Sequence, residues 1–193
     1  INFKNKDLKG DLEFTISFIE ENINKLNPLS VAFLINNKFE DEFKTRFQRA
    51  FVKHIKSAWY EILKGEFFEG IKKMKGSGHG LTPSGDDFIT GMLYALNLIQ
   101  EINKKDTTDL RNKIYEASKT NNDISRNMIF HASKELYFKQ FKDFQEALLK
   151  KDKNIEQKFE NLINIGETSG SDMITGYYLT LINPAGFQNP QGI

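Results

Sequence analysis

Apolar residues along the chain recur mostly at intervals of three and four positions, the spacing of one face of an α-helix. Residues 39–75 show this most clearly, with an apolar stripe of Phe43, Phe47, Ala50, Phe51, His54, Ile55, Ala58 and Trp59. Gly65 and Gly70 are candidate breaks in that stretch. Residues 8–26 mix helical with alternating spacing and favour a helix that ends before Pro28.

The remaining apolar segments also favour helices. They predict helices over 88–102, 107–118 and 173–182, and two or three more within 125–163. The exception is the short apolar run 29–35, whose length favours a buried strand over a short helix without deciding between them. We therefore expect a mostly α-helical, compact bundle of about seven or eight helices with one small strand element. No linker divides the chain, so residues 1–193 are predicted to form a single domain.

The composition narrows the chemistry that the chain can perform. It contains no cysteine and three histidines, which excludes disulfides, thiolate metal sites and a cysteine nucleophile and leaves little for a histidine-rich metal centre. The first residues show no signal peptide pattern, and together with the absence of disulfides this predicts a cytoplasmic setting. The net charge of +1 gives no reason to expect nucleic acid or a membrane as a partner.

Two glycine-rich segments repeat one pattern at different places in the chain. Residues 80–91 and 166–176 both contain Ser-Gly-x-Asp-x-Ile-Thr-Gly without a gap, and Pro83 is the only insertion upstream of it. Each segment leads into an apolar helix. The repeat therefore predicts two similar loop-helix motifs within one fold.

Local chemistry assigns a structural role to some of these positions. Ser84 and Ser169 are expected to be N-cap residues, which places Asp87 and Asp172 at the third helical position of a capping box. Gly85 and Gly170 would then leave room for a group to approach each helix start.

Gly91 and Gly176 lie one helical turn after Asp87 and Asp172. Glycine lowers the stability of a helix, and the close approach of another backbone at these positions explains why it is present. We expect the two helices to cross at these glycines, with both loops at one end facing a shared cleft. Capping and crossing alone would account for the repeat without any ligand.

The density of small and polar residues in the loops also fits a binding site. Helix N-termini present free N–H groups that suit an anion such as a carboxylate or phosphate. The candidate anion-binding residues are Gly78, Gly80, Thr82, Ser84, Gly85, Thr168, Ser169 and Gly170. His79, Asp86 and Asp87 are the candidate catalytic residues. Asp86, Asp87 and Asp172 are candidate ligands for Mg²⁺, and capping is the alternative role for these carboxylates.

The two motifs resemble those of a known family. Gly-x-Gly-x-Gly-Leu-Thr-Pro-Ser-Gly-Asp-Asp-x-x-x-Gly at 76–91 and Thr-Ser-Gly-x-Asp-x-x-x-Gly at 168–176 look like the signature of the bacterial family associated with the AllH-type subunit of oxamate carbamoyltransferase. Residues 121–125 are similar to a third, weaker stretch of that family. The resemblance covers roughly residues 40–183. Ser77 and His79 depart from it, because the family has small or proline residues there.

The N-terminal part of the chain lies outside this resemblance. Residues 1–38 match the family weakly, and family members usually carry additional sequence at this end. Because the chain begins with Ile1 rather than Met, we expect further residues upstream in the full protein.

The resemblance implies a role in anaerobic purine (allantoin) breakdown. The implied reaction is phosphorolysis of oxalurate to oxamate and carbamoyl phosphate by several subunits, one of which resembles acyl-CoA synthetases. The substrate would be a small anion. In such a reaction, N–H donors at 84–87 and 169–172 would stabilise developing negative charge.

Two other functions stay open at this stage. Helical folds with Gly-Asp and Asp-Asp loops also include Mg²⁺-dependent hydrolases that resemble ADP-ribosyl-glycohydrolases. A non-catalytic binding or scaffolding subunit is the third hypothesis, supported by 17 phenylalanines and by a turn-rich tail at 183–193.

Overall fold

The computed structural model describes residues 8–184, and this part of the chain is mostly α-helical, as predicted. It contains nine α-helices and three short 3-10 helices. The α-helices are α1 (Leu8–Asn22), α2 (Arg46–Leu63), α3 (Phe67–Met74), α4 (Ser84–Asn103), α5 (Thr108–Ser118), α6 (Asp123–Ser133), α7 (Lys139–Lys150), α8 (Ile155–Ile163) and α9 (Ser169–Ile182). The 3-10 helices span Ile23–Lys25, Val31–Leu34 and Asn37–Glu42. The α-helices thus exceed the seven or eight expected.

Helices α4 and α9 form the centre of the molecule. Every residue of α4 from Ser84 to Ile99 is buried, and so is every residue of α9 from Gly170 to Leu181. A helix that is covered on all sides belongs to the core. The surrounding helices are amphipathic and turn one apolar stripe toward this pair, as the helical spacing of their sequences predicts.

Helices α4 and α9 cross at Gly91 and Gly176, as the sequence predicts. A Cβ atom at Gly91 would lie 1.9 Å from the carbonyl oxygen of Met173, and one at Gly176 would lie 2.0 Å from that of Phe88. Phe88 and Met173 each lie four residues after the serine that begins their helix. The contact is therefore reciprocal, so corresponding residues of the repeat meet each other across the crossing.

The strand expected at 29–35 is absent, and residues 8–184 contain no strand. A 3-10 helix, Val31–Leu34, takes its place, and its start is capped by the Ser30 hydroxyl, which accepts a hydrogen bond from the Ala32 N–H. A strand needs a neighbouring strand to satisfy its backbone groups. Here local turns and the carboxyl of Asp172, which accepts from the Val31 N–H, satisfy them instead.

The expected capping boxes at the two motifs are also wrong. The N-cap residues are Pro83 and Thr168, neither of which makes a side-chain cap hydrogen bond. Ser84 and Ser169 are the first helical residues, so both helices begin one residue earlier than the capping boxes predict and four residues before the apolar segments 88–102 and 173–182. Since Pro83 lacks an N–H group and has a fixed φ, the chain can enter the helix directly behind it.

Other boundaries follow from local chemistry. The long helical stretch predicted from residue 39 starts instead at Arg46, where Thr45 and Gln48 form a capping box. Gly65, with φ of +93°, lies between α2 and α3, so that stretch is indeed two helices. The helical region 125–163 contains three helices. Most of the predicted tail 183–193 lies outside the described residues.

No helix within residues 8–184 is both long and apolar enough to cross a bilayer.

The glycine crossing gives a direct stability prediction. Gly91→Ala would drive a methyl group into the backbone of α9, which cannot rotate away as a side chain can. We expect a loss of roughly 3 kcal/mol or more in the free energy of unfolding, at the upper end of overpacking costs. Urea unfolding measures it.

The control for this substitution is Gly65→Ala. A Cβ atom at Gly65 meets nothing within 4 Å, so only the positive φ costs free energy, about 1–2 kcal/mol. Equal stability losses in the two variants would contradict a tight crossing.

Candidate functional site

The crossing brings the two repeated loops together at the N-terminal ends of α4 and α9. The hydroxyl oxygens of Thr82 and Ser169 lie 3.2 Å apart. A third segment joins them from the N-terminal side, since the Asn27 N–H donates to the Ser171 hydroxyl and the Asn27 side-chain amide donates to the carbonyl of Glu167. The shared cleft expected from the sequence therefore has three walls rather than two.

Asp87 and Asp172 lie beneath this junction and are almost completely buried. The Thr82 hydroxyl donates to Oδ2 of Asp87 at 2.9 Å, and the Val31 N–H donates to Oδ1 of Asp172 at 2.6 Å. The other oxygen of each carboxyl is buried without a hydrogen-bond partner. The Ser169 hydroxyl lies close to Asp87, and the Ser84 hydroxyl lies close to Asp172. Each carboxyl therefore lies near the serine of the other motif.

Burial changes the acidity of this pair. Desolvation, and after it the negative charge of Asp172, raises the pKa of Asp87 to about 8, although the neighbouring hydroxyls of Ser169 and Thr82 act to lower it. Desolvation likewise raises the pKa of Asp172 to about 7, opposed by the Val31 N–H. Near neutral pH the pair therefore holds a proton that two exposed aspartates would have lost.

Asp86 faces a different part of the fold. Its Oδ1 accepts the Gly76 N–H at 2.7 Å, while its Oδ2 and the Ser125 hydroxyl are both buried without a partner in hydrogen-bond geometry. Desolvation raises the pKa of Asp86, although the Gly76 N–H and the nearby Ser125 hydroxyl lower it. Asp86 thus connects the start of the first loop to α6 and does not join the Asp87–Asp172 pair.

The first loop is also anchored to the segment that carries Ser125. Asn122 caps α6 and donates from its side-chain amide to the carbonyl of Leu81 at 2.8 Å. This segment, 121–125, is the third family-like stretch in the sequence, and its role here is to hold the loop.

Gly85 and Gly170 do not leave room for a ligand. A Cβ atom at Gly85 would lie 2.0 Å from the carbonyl oxygen of Met74, and one at Gly170 would lie 1.9 Å from that of Leu162. The backbones of α3 and α8 therefore occupy the space beside these glycines, which the sequence predicted to be open to an approaching group.

The backbone donors at the helix starts are largely engaged as well. The N–H groups of Gly85, Asp86 and Asp87 donate to carbonyl oxygens of Ser77 and Pro83, and those of Gly170 and Asp172 donate to Ile165 and Thr168. Hydroxyl groups, rather than a row of free N–H groups, are thus the main polar groups that this end of the two helices offers.

A cavity of about 170 Å³ opens beside the junction. Its polar side includes Gly78, His79, Ser84, Glu167 and Thr168. Its apolar side consists of Leu29, Phe43, Phe47 and Phe51. The exposed ring of His79 packs against Phe47 with ring centroids 5.2 Å apart. A ligand in this cavity would therefore meet the hydroxyl residues, His79, Gln48 and Glu167 on one side and mainly aromatic rings on the other.

The predicted anion-binding residues divide into three groups. Gly78, Ser84 and Thr168 line the cavity. Thr82 and Ser169 lie behind it, at the hydroxyl contact above Asp87. Gly80, Gly85 and Gly170 are not among the residues that line it. The positive φ of Gly78 and Gly80 gives both a role in shaping the first loop.

The carboxylates expected to bind Mg²⁺ do not converge. Within residues 8–184 no three histidine, aspartate or glutamate side chains are arranged to hold a metal ion. Asp86 faces Gly76, so only Asp87 and Asp172 of the expected set lie together. Magnesium at these carboxylates stays a prediction.

Several residues of the site could not be predicted from the sequence. Asn27 and Val31 contact the second motif from 140 or more positions away in the sequence, and no local pattern points to such a contact. Glu167 of the second motif corresponds to Leu81 in the first, so the repeat itself gives no signal for it. The phenylalanine wall belongs to the apolar stripe of the 39–75 stretch, where it looked like ordinary core.

Comparison with known proteins supports the resemblance. Residues 74–181 match a family described as oxamate carbamoyltransferase subunit AllH. This range runs from the end of α3 to the end of α9 and covers more than half of the chain, so the chain belongs to that family. No curated protein and no solved structure matches the chain significantly.

The buried carboxyl pair predicts a pH-dependent stability. The folded chain keeps protons on Asp87 and Asp172 that the unfolded chain loses above about pH 4. The free energy of unfolding should therefore fall as the pH rises from about 4 to about 8. The Asp87→Asn variant cannot ionise at this position, so its free energy of unfolding should fall less steeply with pH. The difference should be about 1.4 kcal/mol for each pH unit over which Asp87 is protonated in the folded chain and ionised in the unfolded chain.

Urea unfolding at a series of pH values measures both slopes. Glu42→Gln, which removes an exposed carboxyl outside the cluster, should unfold with the slope of the unaltered chain. If Asp87→Asn has that slope as well, the carboxyl of Asp87 is not held protonated.

Proposed function

We propose that this chain is a subunit of a carbamoyltransferase that acts on a small carboxylate, oxalurate or oxamate, with phosphate and carbamoyl phosphate as the other reactants. Family membership supports the reaction class. The cavity beside the paired helix starts supports the site, because it sets the Ser84 hydroxyl, which lies close to the buried Asp172, among its lining groups. This is the observation that carries the proposal.

The reaction requires the transfer of one proton from hydrogen phosphate to the nitrogen of the leaving oxamate. A phosphate oxygen forms a bond to the carbamoyl carbon of oxalurate, the bond from that carbon to nitrogen breaks, and the oxamate nitrogen must gain a proton that hydrogen phosphate has lost. A group with a pKa near the working pH transfers such a proton well. The pKa values of Asp87 and Asp172, raised by burial to about 8 and about 7, lie in that range.

The hydroxyls provide the connection between the carboxyls and the cavity. Ser84 borders the cavity and lies close to Asp172, while Thr82 donates to Asp87 and contacts Ser169. In this proposal the carboxyls act through these hydroxyls. A carboxyl pair that keeps a proton also repels an anionic substrate less than two carboxylates would.

The remaining roles follow from position. His79, at the open side of the cavity, is proposed to contact the carboxylate or phosphate of the substrate. The reaction as proposed involves further subunits, including one that resembles acyl-CoA synthetases, in the cytoplasm. Magnesium, if it takes part, would interact with Asp87 and Asp172 rather than with Asp86.

Replacement of Ser84 by alanine tests the site. Ser84→Ala keeps the helix but removes the hydroxyl between the cavity and Asp172. We expect carbamoyl phosphate formation by the complex reconstituted with its partner subunits to fall by about 100-fold, the lower range for loss of one polar or proton-transferring group. Circular dichroism should show an unchanged fold.

The matched control is Ser57→Ala, which removes a half-buried hydroxyl that pairs with Lys73 away from the cavity and should leave turnover unchanged. Full activity of Ser84→Ala in a folded complex would remove the basis for a site here. Valine at Gly85 or Gly170 would not be informative, because the added atoms would collide with backbone.

A further inference from the structure

A second and larger cavity lies on the outer side of α2. Its volume is about 670 Å³, and it runs between this helix and the 3-10 helix Asn37–Glu42. Four cationic side chains line it, namely Lys44, Arg49, Lys53 and Lys56, against two acidic ones. The excess of positive charge in this one groove is larger than the net charge of +1 carried by the whole chain.

Most of this positive charge is not neutralised by the protein. Lys56 forms an ion pair with Glu40, and the Nε of Arg49 donates to the carbonyl of Phe43 at 3.4 Å. That bond orients the guanidinium, and its two terminal nitrogens have no hydrogen-bond partner among residues 8–184. The side chains of Lys44 and Lys53 likewise make no ion pair or hydrogen bond to any residue between 8 and 184.

Several lysines of other helices are paired differently. Lys72, Lys104, Lys113 and Lys119 each have an acidic partner one helical turn away, the usual arrangement of a solvated helix face. The groove differs from these positions because it gathers cations without such partners beside one another.

The geometry of α2 concentrates the cations further. Arg49, Lys53 and Lys56 follow one another at intervals of four and three residues, so they share one face of the helix. The first turn of α2 carries no acidic residue, and the positive end of the helix dipole adds to the repulsion among these side chains. A bound anion would relieve that repulsion.

The base of the groove is apolar. The side chains of Phe43 and Val52 are nearly buried and form its floor. A volume of this size suits a ligand with an organic part as well as charged groups. Phe43 also lines the smaller cavity beside Ser84, so the two cavities share this residue.

We propose that this groove binds a small phosphate-bearing molecule, with the phosphate groups at Lys44, Arg49 and Lys53 and the organic part on Phe43 and Val52. Arginine binds phosphate oxygens through two parallel hydrogen bonds, and the lysines add point charges. The site is separate from the one proposed for the carbamoyl transfer, and its existence does not depend on that proposal.

Calorimetric titration of the full chain tests the groove with four probes: inorganic phosphate, pyrophosphate, ATP and adenosine. We expect ATP and pyrophosphate to bind, with an affinity that falls as salt is added, and adenosine alone to bind at least tenfold more weakly than ATP. Lys53→Glu and the milder Arg49→Gln should each weaken ATP binding about tenfold or more, with unchanged melting temperatures. Lys105→Glu, an equal charge change at an exposed position outside the groove, is the control.

The probes also separate the possible ligands. If ATP binds more tightly than pyrophosphate, the organic part contacts the floor, and equal affinities assign recognition to the phosphate groups; both outcomes support the site. Absence of binding by every phosphate compound would overturn it. If Lys105→Glu weakens ATP binding as much as Lys53→Glu does, the binding reflects only the overall charge of the protein, and the proposed site is overturned as well. A polyglutamate peptide that binds in place of the phosphate compounds would assign the groove to an acidic protein partner instead.

Discussion

The contact between α4 and α9 at Gly91 and Gly176 determines the arrangement of everything else in the fold. Two helices whose backbones touch can do so only where neither has a side chain, so the glycines fix both the position and the register of the crossing. Because each glycine lies seven residues after its helix start, that register places the two N-terminal ends together. The proximity of the two loops is thus a consequence of core packing.

The same packing accounts for the buried carboxyls. Asp87 and Asp172 are one helical turn before the crossing glycines, on the face that the partner helix covers, and burial of an ionised carboxyl is costly. The protein reduces this cost by hydrogen bonds from Thr82 and the Val31 N–H and by retention of a proton. A stable scaffold would place apolar side chains at these two positions. Two buried carboxyls behind the hydroxyls that adjoin a cavity are instead typical of sites where acidity is adjusted to a task.

The sequence predicted those parts of the structure that depend on local spacing. Helical periodicity located the helices, and the repeat predicted the crossing at Gly91 and Gly176. What it could not predict are contacts between distant segments. The helix starts at Ser84 and Ser169 were misassigned because a serine three residues before an aspartate fits a capping box. Here Asp87 accepts instead from the Thr82 hydroxyl and Asp172 from the Val31 N–H. The 3-10 helix at Val31–Leu34 was taken for a strand because a short apolar run has no periodicity of its own.

The candidate site shows the same division between local and distant contributions. Most of its polar side, namely Gly78, His79, Ser84, Glu167 and Thr168, lies within the range that matches the family, and only Gln48 lies before it. Its apolar side, Leu29, Phe43, Phe47 and Phe51, lies entirely before that range. Hydroxyls and carboxyls determine which bonds can be polarised, whereas the shape of an apolar wall determines which substrate fits against them. In the proposed function, the reaction class would then depend mainly on the segment shared with the family, and the choice of substrate on the N-terminal segment that covers it.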